Sequence, residues 1–261
     1  MNSGSPPTGG LLRCREQEAA AGVLLHRMER YTYLLLDVLS IAFPLLASFE
    51  KRLRFWRKWP GLFIGIGVMA AIFIPWDIAF TARGIWGFNE RFLTGIHLAG
   101  LPMEEWLFFL MIPYACMFLY EVMRHFIKRD VLGSAAPRIA IAIAVVLLVV
   151  ASFNLDRSYT SITFISTAIL LIYHTIRRTV WLGRFFIGYA ISLIPFLLVN
   201  GMLTGTWLQA PIVWYNDQEN LGIRIGTIPI EDSIYLLLLL LIVTTFYEAK
   251  IDRSSELTTY N

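Results

Sequence analysis

Seven windows of mostly apolar residues recur along this chain, near positions 31–50, 60–80, 103–125, 137–154, 159–177, 181–203 and 231–248. Each holds roughly 17–23 residues, enough to cross a hydrocarbon core of about 30 Å as a helix. With 57% of its 261 residues hydrophobic and 16% charged, the chain has more apolar surface than a soluble globule can bury. It is expected to be an all-α integral membrane protein with seven transmembrane helices. The first window is the least apolar, because it carries Asp37 and Pro44, whereas Ile139 to Phe153 is apolar almost throughout.

Lysine and arginine set the expected orientation. One set of connections carries Lys51, Arg52, Arg54, Arg57 and Lys58, then Arg124, Lys128, Arg129 and Arg138, then Arg177, Arg178 and Arg184, with Lys250 and Arg253 in the tail. The alternate connections hold only Arg83 and Arg91, then Arg157, then Arg224. The C-terminus is therefore expected to be cytoplasmic, in a multi-pass protein of a prokaryotic cytoplasmic membrane. A net charge of +3 reflects these anchoring residues and gives no nucleic-acid footprint. The two cysteines, Cys14 and Cys116, offer no disulfide framework and no metal cluster. Residues 1–27 are rich in Gly, Ser and Pro and then mixed in charge, without the apolar core of a signal peptide. They read as a disordered or upstream extension, with Met28 as the natural start of a domain covering 28–261.

Two stretches are versions of one another. Sliding the sequence until Asn89 lies on Asn216 also places Gly95 on Gly222, Ile96 on Ile223, Pro102 on Pro229, Glu104 on Glu231 and Glu105 on Asp232, without a gap. Three windows then form one unit, about 31–125, and three another, about 159–248, with the window at about 137–154 linking them. An intervening span makes the repeat parallel, so both Pro-x-acid-acid boxes should lie at the non-cytoplasmic face and converge on one cavity. The loops before the boxes, Thr81 to Leu101 and Thr204 to Ile228, are long and rich in Gly and aromatic residues. Such loops either line a pocket or form an interfacial aromatic belt.

A single Pro-x-acid-acid box is a good helix start, since proline suits the first turn and acids complement the helix dipole. Two adjacent carboxylates in both copies exceed what capping calls for. Glu104, Glu105, Glu231 and Asp232, gathered beside hydrocarbon, cannot all be ionised, and a pocket holding both a proton donor and an acceptor is the chemical consequence. Glu104 and Glu231, glutamates in both copies, are expected to reach the reacting atom, while Glu105 and Asp232 tune charge or orientation. Asp77, Asn89, Asn200, Asn216 and His97 are the other polar residues near the membrane mouths; His97 falls on Arg224 and reads as a surface or pocket-edge residue. No GxGxxG, HExxH or Asp-rich repeat occurs, and the last window has no internal lysine for a Schiff base. Cofactor-free and metal-free acid–base chemistry on an apolar substrate, or proton-coupled transport, remains.

The stretch Tyr31-Thr-Tyr-Leu-Leu-Leu-Asp37, the run from Pro75-Trp-Asp77 through Gly84-Ile-Trp-Gly-Phe-Asn89, the box Leu101-Pro-Met-Glu-Glu105, and the copy from Pro211-Ile-Val-Trp-Tyr-Asn216 to Ile228-Pro-Ile-Glu-Asp232 resemble the small integral-membrane lycopene cyclases. These are the two-part or fused type, distinct from the flavin-binding lycopene cyclases. The resemblance covers nearly everything after Met28. It implies redox-neutral cyclisation of the acyclic ends of lycopene to β-ionone rings, giving γ-carotene and then β-carotene, without a cofactor. It also implies lycopene and other linear carotenoids as substrates, the lipid bilayer as their source, and other carotenoid-pathway enzymes as partners. The four acids would then be catalytic, and Asn89, Asn216, Asp77, Trp86, Phe88, Trp106, Trp214 and Tyr215 would bind substrate, the aromatic faces shielding a cation. A proton-coupled transporter and a non-catalytic carotenoid-binding membrane protein are the alternatives.

Overall fold

The structure, a computed structural model, describes residues 29–259; the segment 1–27, Met28 and Cys14 lie outside the described residues. Among the described residues seven α-helices follow one another: α1 Thr32–Ala47, α2 Trp59–Ala82, α3 Met103–Phe126, α4 Ala136–Ser152, α5 Ser158–Ile176, α6 Leu182–Leu203 and α7 Ile230–Thr259. They coincide with the seven apolar windows of the sequence. Five of them, Phe55–Ala82 with its leading 3-10 turn, Met103–Phe126, Ser158–Ile176, Leu182–Leu203 and Ile230–Ile251, are long and apolar enough to cross a membrane. The helices α1 and α4 are shorter, with 16 and 17 residues. At 1.5 Å per residue, α1 is about 24 Å long, below the usual hydrocarbon thickness of about 30 Å.

Helix starts follow local chemistry. Pro60 and Pro137 stand in the first turns of α2 and α4, where no intrahelical N–H is missed. The α3 and α7 first turns carry the acids of the boxes. Close packing relies on small residues, as is usual where lipid supplies no hydrophobic drive between helices. A Cβ on Gly65 would stand 2.5 Å from the Val243 carbonyl oxygen, so glycine is what lets α2 lie against α7. On α4, Ala136, Ala140 and Ala144 form a buried stripe, and this helix packs on α5.

The helices are arranged in a swapped pattern. Helix α1 packs on α3 and α5 on α7, while α2 packs on α7 and α6 on α3, so each box-bearing helix is also held by a helix from the other stretch. At the end away from the boxes, ionic contacts join α2, α3 and α7: Lys58 meets Glu121, and Arg124 Nη1 reaches Glu248 at 3.0 Å and Glu121 at 3.3 Å. Tyr120 donates to the same Glu248 at 2.7 Å.

At the box end the two loops pair with each other. Strand β1, Trp86–Phe88, runs antiparallel to β4, Val213–Tyr215, with Trp86 opposite Tyr215, Gly87 opposite Trp214 and Phe88 opposite Val213. Before each box stands a two-residue hairpin, β2 His97–Leu98 with β3 Leu101–Pro102, and β5 Arg224–Ile225 with β6 Ile228–Pro229. Gly87 leaves room for the Trp214 indole, which would lie 2.3 Å from a Cβ there. This ribbon closes the bundle over the acids.

Candidate active site

The two hairpins deliver the boxes with matching bonds. Met103 N donates to the Ile96 carbonyl at 2.8 Å, and Ile230 N to the Ile223 carbonyl at 3.0 Å. Glu104 Oε1 accepts from Thr94 N at 2.7 Å, and Glu231 Oε1 from Leu221 N at 2.7 Å. Glu231 accepts a further bond from Thr160 Oγ1 at 2.6 Å. The first acid of each box is fully buried and turned to its own loop, with one carboxyl oxygen, Oε2 of Glu104 and Oε2 of Glu231, meeting no protein donor.

The second acids face elsewhere. Glu105 and Asp232 both stand on the wall of one cavity of about 550 Å³, with Tyr33, Trp86, Phe88, Phe108, Tyr159, Asn200, Tyr215 and Tyr235 around them. Adjacent residues on an α-helix point about 100° apart, so in each box only one carboxyl can look into the chamber. Of the four acids, Glu105 and Asp232 line this cavity, while Glu104 and Glu231, the acids expected from the sequence to reach the reacting atom, bond to the loops.

The two cavity acids have unlike partners. Asp232 accepts three hydrogen bonds, from Tyr159 OH at 2.5 Å, Asn200 Nδ2 at 2.6 Å and Tyr215 OH at 3.0 Å. That is the setting of a carboxylate anion, which only accepts. Glu105 accepts from Tyr33 OH at 2.5 Å and otherwise adjoins a second carboxyl, Asp77. Asp77 Oδ1 receives Trp86 Nε1 at 2.5 Å and Thr81 Oγ1 at 3.2 Å, while its Oδ2 meets no protein donor. Two carboxyls can bond to each other only by holding a proton between them. Tyr215, on the ribbon, has its phenol raised well above the ordinary range by burial and by the Asp232 carboxylate, so it stays a donor.

Aromatic rings make up much of the chamber. Trp86 lies 5.1 Å from Tyr159 and 6.2 Å from Tyr215, and Tyr159 stacks on Tyr215 at 5.9 Å and 14°. The faces of such rings attract positive charge.

Of the residues singled out in the sequence, Glu105, Asp232, Trp86, Phe88, Tyr215 and Asn200, the last noted only as a polar residue at a membrane mouth, line the cavity and the others do not. Asp77 stands behind Trp86 and Glu105. Asn89 and Asn216 shape the loops, each accepting from the backbone two residues on, Arg91 N and Gln218 N, both at 3.1 Å. Trp106 donates to the Leu98 carbonyl at 3.2 Å, and Trp214 covers Gly87. His97 is exposed on the hairpin, 3.2 Å from Glu90. Cys116 is a buried free thiol on α3.

Tyr33, Tyr159, Asn200 and Tyr235 were missed as site residues. The first two were within reach of the sequence: each begins its unit and bonds the second acid, but they correspond only after a slip of one residue, which an ungapped slide hides.

No curated protein and no solved structure matches this chain. A family model described as lycopene cyclase matches it twice, over residues 30–123 and 156–249, each match running from one tyrosine-bearing first helix through one box. Together the two matches cover more than half of the sequence, and the chain belongs to the lycopene cyclase family.

Proposed function

We propose that this cavity converts the acyclic ends of lycopene to β-ionone rings, giving γ-carotene and then β-carotene. The observation that carries the reading is the presence of Glu105 and Asp232, differently partnered, on one aromatic wall in a chain of this family. The reaction moves protons and closes a carbon–carbon bond; it neither adds nor removes electrons. A proton held between Asp77 and Glu105 passes to the terminal double bond of an end group. The resulting cation is attacked by a second double bond of the same end, closing a six-membered ring and moving the positive charge onto the ring. Loss of a ring proton to a carboxylate leaves the new double bond, and Asp232 is placed to receive it or to face the charge. Trp86, Phe88, Tyr159, Tyr215 and Tyr235 shield the cation from water, which would otherwise add to it.

The same reading fixes an arrangement in the bilayer. All seven helices span it, the short α1 and α4 included, and two parallel three-helix repeats, about 31–125 and 159–248, are joined by the linking helix at about 137–154. Matched hairpins, matched Glu–backbone bonds and the swapped helix packing support the parallel relation. The ribbon then lies at the non-cytoplasmic face, and the basic connections and the C-terminus are cytoplasmic, in a prokaryotic cytoplasmic membrane. Substrate enters from the bilayer.

Expression in a lycopene-accumulating bacterium tests the activity. Pink cells should turn yellow-orange with β-carotene and γ-carotene in their extracts. Extracts that keep lycopene unchanged, with the protein present in the membrane, would refute the cyclase reading and leave transport or carotenoid binding.

A further inference from the structure

A second cavity adjoins the acid chamber. It measures about 330 Å³, lies between α1, α3 and α6, and is lined by Ser40, Ile112, Ala115, Cys116, Pro195 and Val199 among others. Phe196 belongs to the walls of both cavities. Its outer edges carry lipid-type surface: Leu39 and Phe43 on α1 and Ile194 and Leu198 on α6 are all exposed. Apart from the Ser40 hydroxyl, which donates to the Leu36 carbonyl at 2.7 Å, and the Cys116 thiol, the named side chains of this lining are hydrocarbon.

The corresponding place in the other half of the molecule is built from different residues. When Asp77 is set against Asn200, the neighbours of the two second acids, Phe73 falls on Phe196 and Trp76 on Val199. When the boxes are superposed, Ala115 corresponds to Ile242 and Leu119 to Phe246. At three of these four positions the larger side chain stands on the α2–α7 side, and the fourth is phenylalanine in both. Phe73 is fully buried there, 5.3 Å from Trp76 and 4.7 Å from Tyr235. The crevice is open because Ala115 and Val199 are small.

Resting on the cyclase reading above, we propose that this crevice is a binding subsite for the part of the polyene that is not being cyclised, with Phe196 parting it from the acid chamber. The acid chamber, walled by aromatic side chains, receives an end group, and the remaining chain of a long linear polyene has to leave it through a wall. The α1–α3–α6 wall is continuous with an apolar crevice that faces lipid, while the corresponding α2–α7 wall is filled. The chain therefore threads in one direction only, and each end of a symmetric substrate must be presented in turn.

The test copies the filled half into the open one. Ala115→Ile and Val199→Trp are purified and assayed with lycopene and with a half-length polyene carrying the same acyclic end. The KM for lycopene should rise about tenfold or more in each variant, within the range by which an apolar subsite discriminates, while cyclisation of the half-length polyene stays at the wild-type rate. A wild type that cyclises lycopene but not the short polyene also supports the subsite, because the two differ only in the chain beyond the ring. Unchanged lycopene KM in both variants overturns it. Equal losses on both substrates, in Ala115→Ile as well as in the bulkier variant, overturn it too. A wild type that cyclises neither polyene refutes the cyclase reading itself, a different result from the loss of length discrimination alone.

Discussion

Glu105 and Asp232 occupy corresponding places at the start of corresponding helices, each bonded by a tyrosine from the first helix of its own stretch, Tyr33 in one case and Tyr159 in the other. Around that shared frame the two surroundings diverge. Where the first half places a carboxyl, Asp77, against its cavity acid, the second places an amide, Asn200. The second half also adds a phenol from the ribbon, Tyr215. A duplicated helix start thus supplies two acids in one chamber, and a change of one neighbour from Asp to Asn gives them different partners. One acid has a second carboxyl beside it; the other accepts from an amide and two phenols. On the proposed reading, the roles of proton donor and proton acceptor rest on that difference.

Removing the three-donor acceptor should have the largest effect. Asp232→Asn replaces a group that only accepts with an amide, half of which donates toward Asn200 or a tyrosine, and cyclisation should fall about 10²-fold or more. β-Carotene formation at equal membrane content of protein checks it. A near-normal rate would erase the distinction between the halves.

The tyrosines sharpen the comparison. Among the described residues Tyr33 is the single hydroxyl donor to Glu105, so Tyr33→Phe should slow turnover about tenfold, the cost of leaving a buried acceptor short of a partner. Tyr159→Phe leaves Asp232 with Asn200 and Tyr215, and should cost about threefold, in the lower part of the same range. Equal losses measured in initial-rate assays, or the reverse order, would show that the donor count does not set the roles.

A smaller effect on chemistry, read as stability, is expected at the ribbon. Gly87→Ala drives a methyl into the Trp214 indole and should destabilise the folded protein by about 1–3 kcal/mol. Thermal unfolding of the purified protein in detergent should show a lower Tm, and Gly87→Ala with an unchanged Tm would mean that the two loops are not held against each other.

Much of this was legible in the sequence. The seven apolar windows marked the helices because each is a continuous apolar run, five of them long enough to cross a membrane, and the boxes stood out because carboxylates beside such runs are rare. The phase of the helices was not legible. Within Leu236 to Leu241 every residue is leucine, so no face is marked as inward, and lipid and protein interior accept the same side chains. For that reason the choice between Glu104 and Glu105, neighbours 100° apart on one helix, could not be made from residue types. The pairing of β1 with β4 was hidden for another reason: it joins segments more than a hundred residues apart through three residues each, too short for a strand pattern. Asn200 was visible as a polar residue at a membrane mouth, but its partner Asp232 lies on another helix.

The division of labour inside each box is tested most directly by comparing two isosteric variants in one assay. Glu105→Gln and Glu104→Gln are expressed to equal membrane content in lycopene-accumulating cells, and the rate of ring formation is followed by the loss of lycopene. Glu105→Gln should lose about 10²-fold or more, because the amide cannot pass a proton into the chamber. Glu104→Gln should stay within about tenfold of wild type, since its amide oxygen can still accept the Thr94 N–H. An inactive Glu104→Gln beside an active Glu105→Gln would contradict the account and return the chemistry to the acid that the structure turns toward the loop.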